Sequence, residues 1–171
     1  NNDWRGMILA GLYTGQRLQD LASLTWANVD LQAGKIRHVT NKTDRRQSNW
    51  IAKPLRDFLV SLPSSDDPAA PIFPTLHGRK SARLSQEFYR VMVAAGLATA
   101  RSHHKPKDGQ GRSGPREKSE ISFHALRHTA TSLFKNAGVP EAVAMSIIGH
   151  DSVDSSRIYT HDDEDAKKRA V

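Results

Sequence analysis

Apolar residues recur at helical spacing through most of the chain and alternate only between residues 29 and 52. Trp4, Ile8, Leu9 and Leu12 mark a first helix over 3–13. Gly11 and Gly15 sit around a break, and Thr14 is placed to cap a second helix over 15–25 with Leu18, Leu21 and Leu24 on one face. Val29-Asp30-Leu31 and Lys35–Val39 flank Gln32-Ala33-Gly34 and predict a β-hairpin. A turn over Asn41–Arg46 leads to a third strand near Ser48–Ala52. Pro54 opens a short helix over 54–62, and residues 63–80, rich in Pro, Ser and Asp, read as loop. Leu84, Phe88, Val91 and Met92 define an amphipathic helix over 81–96, closed by Gly96. After a stretch without apolar period, Ser122 is the expected cap of a helix ending at Gly138. Pro140 starts another that stops at Gly149, and a short helix is expected over 152–160. The predicted class is mainly α with a small three-stranded antiparallel sheet.

Composition narrows the partners. The 171 residues fit one domain, and no run of about 18 apolar residues is present to cross a membrane. The chain has no Cys, which excludes a disulfide scaffold, thiolate zinc ligation and thiol catalysis, and suits a reducing cytoplasm. The opening Asn1-Asn2-Asp3-Trp4 is not signal-like and suggests a piece of a longer protein. Lys+Arg is 25 against 18 Asp+Glu, net +7. The excess is concentrated. Residues 35–56 carry Lys35, Arg37, Lys42, Arg45, Arg46, Lys53 and Arg56 against Asp44 alone. Residues 101–118 carry Arg101, Lys105, Lys107, Arg112, Arg116 and Lys118 against Asp108 and Glu117. The rest is net acidic. Two basic stretches, neither an amphipathic helix, point to a polyanion such as nucleic acid rather than to an anionic membrane. A pair of solvated basic loops would read the same way.

Polar groups at short spacings supply candidate chemistry. His124 and Arg127 stand three apart on one helix, where a guanidinium fork and an imidazole can grip a phosphate; such pairs also occur on inert surfaces. His128 points about 100° away from Arg127 and reads as structural or solvent-facing. Arg17 follows Thr14-Gly15-Gln16, where a helix start favours an anion, although a plain surface Arg fits as well. Lys42 lies in the strand turn, His150 follows Gly149, and Tyr159 stands nine residues beyond His150. Arg79, Lys80 and Arg83 surround the start of the 81–96 helix. A histidine metal site is disfavoured: His103 and His104 fall in the basic loop, and His124 and His150 lack carboxylates at ligand spacing.

In order, these pieces form T-G-x-R, a turn Lys, H-x-x-R-H and G-H-x8-Y-T-H. The blocks are Tyr13–Trp26, His124–Ala130 and Ile148–His161. The chain resembles the catalytic domain of the tyrosine recombinases, the phage integrase family, from about Trp4 to His161. The resemblance implies a site-specific DNA recombinase fold and activity. Tyr159 would be the nucleophile forming a 3′-phosphotyrosine, with Arg17 and Arg127 on the phosphate oxygens. His124 would be proton acceptor or phosphate donor, His150 a further phosphate donor, and Lys42 the general acid for the leaving 5′-oxygen. It implies no cofactor, metal or ATP. Its partners would be double-stranded DNA and three further protomers, with the isolated fragment a monomer. A cytoplasmic, nucleoid-associated location in a prokaryote or phage follows.

It also implies that residues 1–171 are the catalytic domain, without the N-terminal core-binding domain, and that residues 162–171 are a tail placed to dock on a neighbour. Arg45, Arg46, Arg79, Lys80, Lys105, Lys107 and Arg112 are candidate DNA contacts, with 101–118 a basic insertion longer than usual. Asp44 replaces the Gly that often stands two residues after the turn Lys, and its charge can compete for Lys42. Two other readings share these features: a type IB topoisomerase, and a DNA-binding accessory protein on a decayed recombinase fold.

Overall fold

The computed structural model describes residues 1–63, 65, 67–100 and 121–149. Six helices and one sheet appear among them: α1 (Asn2–Thr14), α2 (Leu18–Ala22), β1 (Val29–Asp30), β2 (Lys35–Val39), β3 (Arg46–Trp50), α3 (Lys53–Ser61), α4 (Ser81–Ala94), α5 (His124–Asn136) and α6 (Glu141–Ile148). A 3₁₀ turn at Trp26–Asn28 leads into β1. The sheet is antiparallel in the order β1-β2-β3. None of the described helices is long and apolar enough to cross a membrane.

Helix α1 is the central post, packed against α2, α3 and α5. Its buried line is Trp4, Met7, Ala10, Gly11 and Thr14, whereas Ile8, Leu9 and Leu12 are only half-buried. The helix expected from the spacing of Trp4, Ile8, Leu9 and Leu12 forms, and its innermost positions include small residues that spacing of bulky ones does not mark. A helix packed on several sides is closest to its neighbours where its residues are small. At Gly6 an added Cβ would lie 2.3 Å and 2.6 Å from atoms of Phe58 and Phe73, and at Gly11 it would lie 2.8 Å from Phe123. Phe88 joins Trp4 (5.8 Å between rings) to Phe123 (5.2 Å, edge-on), so α4 closes over α1 through aromatic contacts.

Several predicted boundaries move. Thr14 ends α1 rather than capping α2: its hydroxyl donates back to Ala10 O at 2.6 Å, and Gly15 takes the left-handed conformation (φ 65°) that closes the helix. Helix α2 is five residues long, and Leu24 packs from beyond its end. Strand β3 starts two residues earlier than the apolar residues suggested, because Arg46 pairs with Val39 across a turn of only Thr40–Arg45. Phe123, not Ser122, is the N-cap of α5, and no side chain caps it. The sheet has a buried inner face of Ile36, His38, Gln47 and Asn49 and an outer face of Lys35, Arg37, Val39, Arg46, Ser48 and Trp50. The expected helix over 152–160, the insertion 101–118 and the tail 162–171 lie outside the described residues.

Gly6→Ala is expected to destabilise the fold by about 1–3 kcal/mol through overpacking against Phe58 and Phe73. That should outweigh the gain of about 1 kcal/mol in helix propensity. Urea denaturation of parent and variant measures the difference.

Candidate functional site

The site is assembled around the C-terminal end of α6. The last carbonyls of any helix lack partners within it, and here side chains from three elements supply them. Gln16 Nε2, from the α1–α2 link, donates to Ile147 O at 2.9 Å, and Asn49 Nδ2, from β3, donates to the same oxygen at 2.7 Å. Arg127, from α5, donates through Nη1 to Ile148 O (2.6 Å) and through Nη2 to Gly149 O (3.0 Å). The same Nη1 donates to Gly15 O at 2.8 Å, at the end of α1. The guanidinium therefore ties the ends of two helices to a third. Its positive charge also sits where both helix dipoles are negative. Arg127 is 2% exposed.

Arg17 follows this junction. It is the extended N-cap residue of α2 (φ −72°, ψ 149°), half-buried and one position before the helix rather than inside its first turn. His124 is exposed in the first turn of α5. Its imidazole is held below the ordinary histidine pKa. Desolvation by the protein behind it comes first, then the positive charges of His128, Arg127 and Arg17. The bond from Arg127 to Gly15 O brings α5, which also carries His124, against the segment leading to Arg17. His128, half-buried, meets His124 edge-on at 4.9 Å between ring centres. It lies against the candidate histidine rather than away from the site, because a four-residue step nearly closes one helical turn.

The turn carrying Lys42 is anchored by a residue that spacing along the chain does not single out. Asp20, 2% exposed and three positions after Arg17, accepts the Asn41 N–H at 2.8 Å through Oδ1. The turn carrying Lys42 is therefore held to the helix that follows Arg17. Within the turn, Thr40 and Thr43 hydroxyls share a 2.8 Å hydrogen bond, and the Asp44 N–H donates to Thr40 O at 3.0 Å. Asp44 adopts φ 55°, a conformation that Asp tolerates and Gly adopts freely. Lys42 and Asp44 form no ion pair with each other. Under the turn, His38 is buried, and neither ring nitrogen has a hydrogen-bond partner. Burial pushes its pKa down, against the pull of the Asp20 charge.

The remaining candidates divide. Arg45 and Arg46 are exposed beside the Lys42 turn. Arg79 is ion-paired with Glu87, which Arg83 also engages at 3.1 Å, so the two guanidiniums share one carboxylate. Lys80 is exposed at the α4 N-cap. His150, Tyr159, Lys105, Lys107 and Arg112 lie outside the described residues. Gln16, Asp20, Gln47 and Asn49 were legible only as polar residues among apolar ones. The signal for the last two was the alternation Gln47-Ser48-Asn49, which puts two amides on the buried side of a strand.

A family model described as the phage integrase family matches residues 3–166. The chain belongs to the phage integrase family. Among curated relatives, a tyrosine recombinase XerD from Vibrio vulnificus is 29% identical over 160 residues, covering 86% of this chain and 45% of that protein. A tyrosine recombinase XerC from Vibrio parahaemolyticus is 29% identical over 168 residues, covering 92% and 46%. This integrase-family chain thus spans about half the length of the relatives it matches. Its fold is that of solved recombinases. It superposes on a XerA recombinase with a TM-score of 0.70 at 21% identity, covering 99% of this chain and 57% of the other. It superposes on a lambda integrase dimer bound to a core site with a TM-score of 0.63 at 19% identity, covering 95% and 53%.

Two tests follow. Arg127→Ala leaves three carbonyls without their donor and should cost roughly 3 kcal/mol or more of stability. Arg127→Lys should recover only part of this, since an ammonium lacks the planar fork. Thermal and urea unfolding report both variants. The second test concerns pH. His38 and His124 both have folded pKa values below the unfolded value of about 6.5. The unfolded chain therefore binds more protons as pH falls below neutrality, and stability should drop as pH falls through 6.5 and below. His38→Gln should flatten that drop in urea titrations between pH 7.5 and 5.5.

Proposed function

We propose that this chain is the catalytic half of a site-specific DNA recombinase that cuts and rejoins strands through Tyr159. The observation that carries the reading is that Arg127, on the helix that begins with His124, bonds to Gly15 O two residues before Arg17, while Asp20 fastens the Lys42 turn to the Arg17 helix. A phosphodiester is an anion whose charge grows as a nucleophile adds to phosphorus. Preformed cationic donors stabilise that state more than the ground state.

In the proposed reaction the Tyr159 oxygen attacks phosphorus and the bond to the 5′-oxygen breaks. The phenol proton passes to His124, and Lys42 gives a proton to the departing 5′-oxygen. A free tyrosine has a pKa near 10, so only about 0.1% is phenolate at pH 7, and the step needs a base. The depressed pKa of His124 keeps its ring neutral and able to accept. Arg17, Arg127 and His150 hold the non-bridging oxygens. Rejoining reverses the sequence, with a 5′-hydroxyl attacking the 3′-phosphotyrosine and returning Tyr159 to its phenol. The phosphotyrosine retains the bond energy, so the scheme calls for neither ATP nor a metal ion. The partners of this reading are double-stranded DNA and a homotetramer bringing two duplexes together. The relatives that share the matched region are named as tyrosine recombinases. This favours recombination over relaxation by a type IB topoisomerase or accessory DNA binding.

Covalent trapping tests the proposal. The chain, and the longer protein on its own element's ends, are incubated with DNA and quenched in SDS. A protein–DNA adduct is expected with the parent and none with Tyr159→Phe. Arg17→Ala should lower adduct formation about 10²–10³-fold. An adduct that survives Tyr159→Phe, or none from the longer protein, overturns the reading.

A further inference from the structure

No described element covers the outer face of the sheet, and its composition is unusual for a solvated surface. Its three cross-strand rows are Val39 with Arg46, Arg37 with Ser48, and Lys35 with Trp50. Trp50 is 67% exposed and Val39 51%, both among the most exposed large apolar residues described. The Lys35 ammonium stands 4.3 Å from the Trp50 ring centre, held by the ring's quadrupole. Arg37 is paired with Asp30 at 3.1 Å, the acidic group on this face. Arg46 has no carboxylate partner among the described residues. The face is therefore net positive, with an open indole at one end and the Lys42 turn directly beyond the other.

We propose that this outer sheet face binds single-stranded DNA, with a base stacked on Trp50 and phosphates held by Arg46, Arg37 and Lys35. An open antiparallel face with an aromatic platform flanked by cations suits unpaired nucleotides. A paired duplex buries its base faces in its own stack and cannot use an indole in this way. Same-face residues on a strand repeat about every 6.7 Å, so the three rows form a track of about 13 Å leading away from the turn. The inference rests on the recombinase reading. A strand whose 5′-oxygen has been released beside Lys42 must unpair before it can join another duplex, and this track begins where that end is released.

The test compares labelled oligothymidylate with a mixed-sequence duplex, using the intact chain. Trp50→Ala should weaken oligothymidylate binding about tenfold and leave duplex binding unchanged, while Trp50→Phe should retain most of the affinity. The double variant Lys35→Ala/Arg46→Ala should lower the salt slope for the oligonucleotide by about 0.7 for each phosphate no longer neutralised. The exposure of these side chains keeps the variants folded, and matched melting temperatures check this. Equal oligothymidylate affinity in parent and Trp50→Ala overturns the proposal. So does an equal loss on duplex, which would mark a duplex backbone contact, or a changed oligomeric state with unchanged DNA binding, which would mark a protein interface. If the parent binds duplex but not oligothymidylate, this inference alone fails. If it binds neither, this inference fails, and the recombinase reading fails with it if the longer protein binds no duplex either.

Discussion

The final turn of α6 ends in carbonyl groups that its own backbone cannot satisfy, and the site is organised by how they are answered. Gln16, Asn49 and Arg127 arrive from three separate elements, each donating to one or two of these oxygens. Hydrogen bonds are directional, so they fix positions that apolar packing alone would leave adjustable. The link leading to Arg17, the strand following Lys42 and the helix carrying His124 are thereby referred to one point. Gly149 belongs to that point. It is left-handed (φ 72°), and a Cβ there would lie 2.4 Å from the Gln47 amide. The backbone at Gly149 is therefore set by close approach as well as by hydrogen bonds.

This gives Arg127 two tasks. Its charge belongs to the cationic group that acts on His124, and its fork joins α1, α5 and α6. A buried guanidinium is costly to desolvate unless its donors are used, and carbonyls at helix ends are acceptors already aligned for it. Under the proposed reaction, loss of activity on changing Arg127 would therefore mix impaired chemistry with a loosened framework. Arg17 and Lys42, more exposed and less embedded, separate the two effects more cleanly.

The sequence announced what repeats and what is chemically rare. The Leu84–Phe88–Met92 stripe, the Leu21 and Leu24 positions and the β2 strand follow directly from spacing. Arg17, Lys42, His124 and Arg127 were grouped only by reading T-G-x-R, the turn Lys, H-x-x-R-H and G-H-x8-Y-T-H in order. What it concealed depends on contacts distant in the chain. Nothing local to Asp20 reveals that it holds Asn41, and nothing near Gln16 points to Ile147. The close approach of Gly6 and Gly11 to neighbouring rings was hidden because the spacing of bulky residues marks a helix without marking where it is nearest its neighbours. Thr14 looked like a cap because Thr commonly caps, but its hydroxyl is satisfied within α1.

The inner face of the sheet carries one further consequence. Only Ile36 there is apolar, while His38, Gln47 and Asn49 bring polar groups inward, and several of their atoms have no partner. The hairpin is held to the domain by a few oriented bonds more than by buried hydrocarbon. Breaking such bonds costs little cavity energy, and water can replace them. The hairpin is therefore expected to open as a separate unit, its amides exchanging with solvent ahead of those in the helical core. A lysine mounted on that unit can swing without disturbing the packing of α1.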